Sequence, residues 1–487
     1  MRNKISITLL AVLLAAGCGG DGNGGGGADD GQPVADTDFV TLGTITRFGS
    51  VVANGMVFDC DAATVRMNDS PATLADLRVG HVVAITATVR SREQNAIAHR
   101  IGCVADTEGP VTSLNMANNT FVVLGRPVSF DELTVFDTLA YEDMMAGNVV
   151  RVIGHNRSQH RIQATHVERI ANAYAAGMRM AVRGEISDFD PVQKHFRIGT
   201  QVCDYSGAML ELGGADLENG LYVEVMSHAP LANGDMILDR IQARDRDRDR
   251  DRDHQCDGAC EFELEGFVTD FVSPTEFYVD GAPVTTTAST VYINGTVDTL
   301  AVDILVAVSG TPDETGVLVA DKIVFRLPSI VQIEADIEAI DIDNATAQLL
   351  GITVTTDDST MFRDMSVAPV TEFWLDELAI GDRAEVRADL AGETVMATRF
   401  ERDEAESKVT LKAPVEGVAR PDLTLLGVTV TADDVTIFQN AAKEVIDADT
   451  FFDLVTVGSL VKAVGDYSGS AIVADTLFIR ECEASCL

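Results

Sequence analysis

The chain has 487 residues, too many for one hydrophobic core, so several domains are expected. Hydrophobic residues make up 46%, an ordinary globular share, while 76 acidic against 36 basic side chains give a net charge of −40. A surface of that sign repels polyanions, which argues against nucleic acid and anionic lipid head groups as partners.

Reading from the first residue, Arg2 and Lys4 precede an apolar run from Ile5 to Ala16 and then small residues, the layout of a secretory signal peptide. The run falls short of the roughly 20 residues that a membrane-spanning helix needs. Ala15-Ala16-Gly17-Cys18 resembles the lipobox of bacterial lipoproteins. That resemblance implies cleavage after residue 17, lipidation of Cys18, and attachment to the membrane through the lipid. Gly19 in place of Asp resembles the signal for sorting to the outer membrane. Residues 18–38 are rich in Gly and Asp and nearly free of apolar side chains, so they are expected to form a flexible tether.

Beyond the tether one pattern recurs six times. Each unit opens on a strand: LGTITRF (42–48), EGPVTSL (108–114), RGEISDF (183–189), EGFVTDF (265–271), EADIEAI (334–340) and VEGVARP (415–421). A second strand carries a glycine closely followed by valine, at Gly55, Gly125, Gly199, Gly281, Gly351 and Gly427, which recur every 70 to 82 residues. A short helical turn ends on glycine in five units, as in LADLRVG (74–80) and GADLENG (214–220); the fourth places Asp303 there. Glycine suits that position because a helix C-terminus favours positive φ. An alternating strand such as HVVAITATV (81–89) follows, and a last strand closes the unit.

The order β-β-β-short helix-β-β in one compact unit predicts an all-β chain of about six tandem five-stranded OB-like barrels, set in a row. Closure explains how so little helix suffices, since it removes exposed sheet edges. The expected boundaries are 1–17 signal peptide, 18–38 tether, 39–106, 107–172 and 178–243 for the first three barrels, and 244–261 for a linker. Barrels four to six are expected at 262–328, 331–402 and 412–481, with a tail at 482–487. The repeated motifs resemble a bacterial family of tandem, functionally uncharacterised OB-like repeats in exported lipoproteins, most closely in the first, fourth and fifth units. The resemblance implies a place in the cell envelope and offers no catalytic residues.

Eight cysteines are present. With Cys18 as anchor, an exported chain is expected to pair Cys60 with Cys103, Cys256 with Cys260 and Cys482 with Cys486, leaving Cys203 as a buried free thiol. A metal site from His254, Cys256 and Cys260 is the rival for the middle pair. His155, His160 and His166 fall on one hairpin; they are candidates for Zn²⁺ or Cu²⁺, weighed against plain solvated surface. RDRDRDRDRD (244–253) has no apolar side to bury and reads as a solvated linker; Asp245 to Asp253 are the alternative Ca²⁺ ligands. Trp374 in TEFWLDEL is expected in a core.

No G-x-S-x-G, H-E-x-x-H or P-loop is present. The chain is therefore expected to be non-enzymatic, to need no cofactor, and to act as a lipid-anchored scaffold or binding module for an envelope protein or polymer. Cation binding by the acidic surface and an exported hydrolase built on a carboxylate pair are the alternatives.

Overall fold

The structure, a computed structural model, describes residues 37–48, 50–89, 95–115, 118–138, 140–244, 260–326, 329–367, 369–370 and 372–480. Strand is the dominant structure of these residues, arranged as six small closed barrels in chain order. The alternating segments behave as their pattern demands. In Val82–Val89, Val83, Ile85 and Ala87 are buried while the residues between them are less so.

Every barrel closes in the same ring order. The opening strand pairs antiparallel with the second strand and with the fourth, the fourth pairs with the fifth, and the fifth runs parallel to the third; in barrel five a separate short strand, Ala339–Asp341, makes the pairing with the second. In the sixth barrel these contacts are Val415↔Leu425, Leu411↔Ala463, Ala463↔Leu477 and Val430↔Ile472. The recurrent glycine lies in the turn between the second and third strands rather than inside a strand. In the first barrel Asn54 and Gly55 both take positive φ, 52° and 77°, as a two-residue hairpin of that hand requires.

The helical segment is a single turn of 3₁₀ helix in four barrels, for example Leu74–Asp76, and a short α-helix, Ala448–Leu454, in the sixth. In the third barrel GADLENG forms no helix. Gly213 just before it and Gly214 at its start hold φ of 62° and 97°, outside the helical region, and glycine loses the most entropy on being ordered. The fourth barrel solves its missing glycine differently: Asp303 itself takes φ of 68°. Aspartate is among the few side chains that tolerate this conformation.

The barrels do not lie in a row. They join in three pairs, each sharing one continuous sheet through the opening strands. Barrels two and three meet at Thr107–Asn115 and Met180–Asp190, antiparallel, with Thr107 opposite Val182. Barrels five and six meet at Val331–Asp336 and Val409–Ala419, with Ile333 opposite Leu411. The remaining pair skips across the sequence: the opening strands of barrels one and four, Thr37–Arg47 and Glu261–Ser273, run parallel with Leu42 opposite Leu264. Three buried apolar clusters result, one for each pair. Period-two alternation specifies which face of a strand is buried but not which outside edge it will meet.

Candidate functional site: a junction of barrels lined by arginine

Barrel two is the hub, and its polar side chains reach four other barrels beyond its sheet partner. Toward barrel one, His155 Nε2 lies 3.0 Å from Thr44 Oγ1, and the His166 ring meets His81 edge-on with centroids 4.5 Å apart. Gly80 permits this approach: a Cβ there would sit 2.7 Å from the Thr165 carbonyl oxygen. Toward barrel four, the Asn156 amide donates to Asp280 at 2.8 Å, and Ser158, Arg157 and Arg161 all donate to Asp303. Toward barrels five and six, the Glu132 carboxylate holds Arg387 at 2.7 Å and Lys412 at 3.0 Å. Barrel five also docks on barrel one, where Arg47 pairs with Asp358 at 2.6 Å and lies 3.6 Å from the Trp374 ring centre. Trp374 packs against the barrel-five core, as expected, and also forms half of an inter-barrel contact.

Where barrels one, two and three meet, they enclose a cavity of about 600 Å³. That is the size range of small-molecule sites. Barrel one supplies Arg66 and Arg100 from adjacent parallel strands in which Thr64 is opposite Arg100. Barrel three supplies Arg183 from its opening strand and Arg240 and Arg244 from its last. Asp69 and Asp106 are the only carboxylates in the lining. Five of seven charged lining residues are thus basic, in a chain where fewer than one charged side chain in three is basic.

Two of these arginines are committed to carboxylates. Arg183 and Arg244 both bind Glu224, at 2.8 and 2.7 Å, and Arg244 also bonds Asp69. Burial opposes charge on Glu224, yet Arg183, Arg244 and Arg179 overrule it and hold its carboxyl down to about 2. Arg66, on the exposed side, donates to the Asp69 carbonyl and meets no carboxylate among the described residues. Arg240 donates to Gln242 and stands 3.6 Å from Glu211. The buried pairs therefore fix the walls, while Arg66 and Arg240 keep donor capacity at the opening.

The histidines expected on one solvated hairpin diverge. His155 and His166 are buried, each 2% exposed, on adjacent antiparallel strands whose register shifts between Ile153 and Gly154; His155 meets Thr44 of barrel one and Asp280 of barrel four, and His166 meets His81 of barrel one. Only His160 is open, with Nε2 3.9 Å from Glu185 beside a second, more acidic cavity of about 380 Å³. Among the described residues no group of three or more His, Cys, Asp or Glu side chains is arranged to hold a metal ion. Neither nitrogen of His166 has a hydrogen-bond partner. Burial, with nearby Arg78 and Arg151, depresses His81 to about 3, and burial with the His81 and Arg363 charges depresses His166 to about 2.

The expected Cys60–Cys103 bridge is not formed: both are buried free thiols, as is Cys203. Asp59 pairs with Ile97 on the strand that carries Cys103, so Cys60 sits some five residues along from it. At ~3.3 Å per residue that is about 16 Å, beyond the ~7 Å limit for a disulfide. Cys260 is buried and disulfide-bonded. Cys18, Asp245 to Asp253, His254, Cys256, Cys482 and Cys486 lie outside the described residues.

The arginine cavity was not anticipated from sequence. One signal was present: in LDRIQAR (238–244), Arg240, Gln242 and Arg244 alternate with buried Ile241 and Ala243, placing three polar side chains on one outer face. Glu263 is raised to about 7 by desolvation, which outweighs the lowering pull of Lys322 and Arg326, but it lines neither cavity.

A family model described as a domain of unknown function, DUF5666, matches residues 108–168, 265–324, 334–401 and 412–476, just over half of the chain. The chain belongs to the DUF5666 family. The four matched stretches are barrels two, four, five and six. The first unit, whose motifs resemble the family closely, is not matched; its third strand is broken into Met56–Asp59, Thr64–Met67 and Ser70–Ala72. No curated protein matches this DUF5666 chain. A solved structure, drosophila Unr CSD456, is similar at 11% identity over 44% of this chain and 98% of its own, with a TM-score of 0.14, which carries no argument about fold or function.

Proposed function

We propose that this DUF5666 protein is a non-catalytic scaffold or binding module, lipid-anchored through Cys18 in the bacterial cell envelope, that grips an envelope protein or polymer where its barrels meet. The observation that carries the reading is the interlocking of six barrels about barrel two. Shared sheets and buried inter-barrel pairs produce one broad, fixed surface, and a cavity lined by five arginines lies at a seam between barrels rather than inside one. The lipobox-like Cys18 and the glycine-rich stretch after it would place that surface a short distance from the membrane.

Crosslinking in native envelopes, followed by purification of the full-length protein and mass spectrometry, tests the reading. The expected result is a recurrent envelope partner whose crosslinks map to seams between barrels, with release of the protein from the membrane fraction in Cys18→Ser. Crosslinks scattered at random, or none from a folded and anchored protein, would overturn it.

A further inference from the structure

We infer that the cavity between barrels one and three is a binding site for a small molecule carrying two or more anionic oxygens, carboxylate or phosphate. The inference rests on the binding-module reading and names the ligand chemistry of this cavity.

Three observations carry it. The first is sign: five arginines and two aspartates line the cavity of a protein whose net charge is −40. The distant negative surface is screened within a Debye length of ~8 Å at physiological ionic strength, whereas charges lining a cavity with low-dielectric walls act at short range. A ligand at the opening therefore responds to the arginines more than to the global charge.

The second is construction. Arg183 and Arg244 are 13% and 6% exposed and are locked by Glu224, itself 5% exposed. A carboxylate committed to three arginines leaves a wall already ordered before any ligand arrives, which lowers the entropy cost of binding.

The third is unspent donor capacity. Arg66 uses one nitrogen on a backbone carbonyl, and Arg240 donates to the Gln242 amide with the Glu211 carboxylate 3.6 Å away, which leaves further N–H donors on each. Each planar guanidinium offers five N–H donors in a fork that matches the spacing of carboxylate and phosphate oxygens. Arg66 comes from barrel one and Arg240 from barrel three, so a ligand with two or more anionic oxygens can engage donors from both barrels. Lysine would serve less well, and no lysine lines the cavity.

The test is calorimetric titration of the full-length protein with citrate and, separately, with pyrophosphate, at 50 mM and 500 mM NaCl. Saturable binding of either anion, weakened at least tenfold at high salt and at least tenfold in Arg66→Ala and in Arg240→Ala, is the expected result. Citrate alone would assign carboxylate ligands, pyrophosphate alone phosphorylated ones, and equal binding the shared oxyanion chemistry; each supports the site. Both residues are solvent-facing, and unchanged melting temperatures would show that the variants fold. Arg420→Ala, in barrel six, should bind like the parent. Binding of neither anion, or binding indifferent to both substitutions, would overturn the inference. The scaffold reading fails separately, through the loss of crosslinked partners, so a protein that captures a partner yet ignores both anions refutes only the present inference.

Discussion

Replacing Asp303 by glycine separates two effects that the fourth barrel combines at one residue. In the other five barrels the same turn carries glycine at positive φ, between 87° and 93°. Asp303 accepts the turn strain and in return binds barrel two: Ser158 N and Oγ each at 3.0 Å, Arg157 Nε at 3.3 Å and Arg161 at 2.6 Å. Burial disfavours its charge, but the Ser158 amide and Arg157 outweigh that and hold the carboxyl below its ordinary range. The side chain is 23% exposed and its arginine partners 24% and 36%, so the ion pairs are partly screened. Two half-exposed ion pairs at ~0.5 kcal/mol each and two hydrogen bonds from Ser158 at ~1 kcal/mol each give about 3 kcal/mol. Asp303→Gly recovers ~1 kcal/mol of backbone strain, for a net loss of about 2 kcal/mol. Asp303→Ala keeps the strain and should lose about 3 kcal/mol. Urea unfolding followed by circular dichroism reads the order parent, glycine, alanine. Hydrogen exchange reads the seam itself, because the Ser158 amide loses its acceptor in both variants. A glycine variant as stable as the parent, with the Ser158 amide still protected, would show that the contact between barrels two and four carries no load.

The paired His81 and His166 give stability a defined dependence on pH. Both are neutral in the fold because their folded pKa values lie far below 6.5, so the unfolded chain binds more protons as pH falls through 6.5 and stability is lost below that value. At pH 5.5 each costs about 1.4 kcal/mol. Glu263, raised to about 7, acts with the opposite sign, so the comparison is between parent and His81→Leu/His166→Leu: the variant should gain about 3 kcal/mol on the parent between pH 7.5 and 5.5, and an unchanged difference would contradict the burial. Burial raises the thiol pKa of Cys60 to about 11 and of Cys103 to about 12, and that of Cys203 higher still. Iodoacetamide at pH 7.5 should leave all three unmodified until urea is added, and a Cys60–Cys103 linked peptide in a non-reducing digest would refute their free state. Trp374 is the single tryptophan and lies under Arg47 of barrel one. Arg47→Ala should shift its emission to the red; an unmoved spectrum would mean that barrels one and five do not dock there.

Much of the single barrel was legible in the sequence. Alternation located the strands, and the glycines marked two positions per unit where φ is positive, because each signal arises within a few residues of chain. The assembly was not legible. Leu42 alternates as a core residue whether its strand ends at a solvated edge or runs beside Leu264 in barrel four. Cys60 and Cys103 read as partners by position in the unit, but register along a strand depends on where the turns fall, and the offset exceeds a disulfide's reach. The histidine hairpin looked exposed because its polar residues suggested solvent; they face other barrels instead, with Thr44, His81 and Asp280 as neighbours. Five arginines spread over some 180 residues of sequence meet only after barrels one and three fold against barrel two.

Small-angle X-ray scattering from the full-length protein tests the packed scaffold most directly, since a string of barrels would offer neither fixed seams nor an arginine cavity. Interlocked pairs about barrel two predict a radius of gyration of roughly 22–25 Å. Six barrels set end to end in an extended row, each about 28 Å across, would give about 50 Å. A value near the first range supports one body built from three shared sheets, and a value near the second would contradict it.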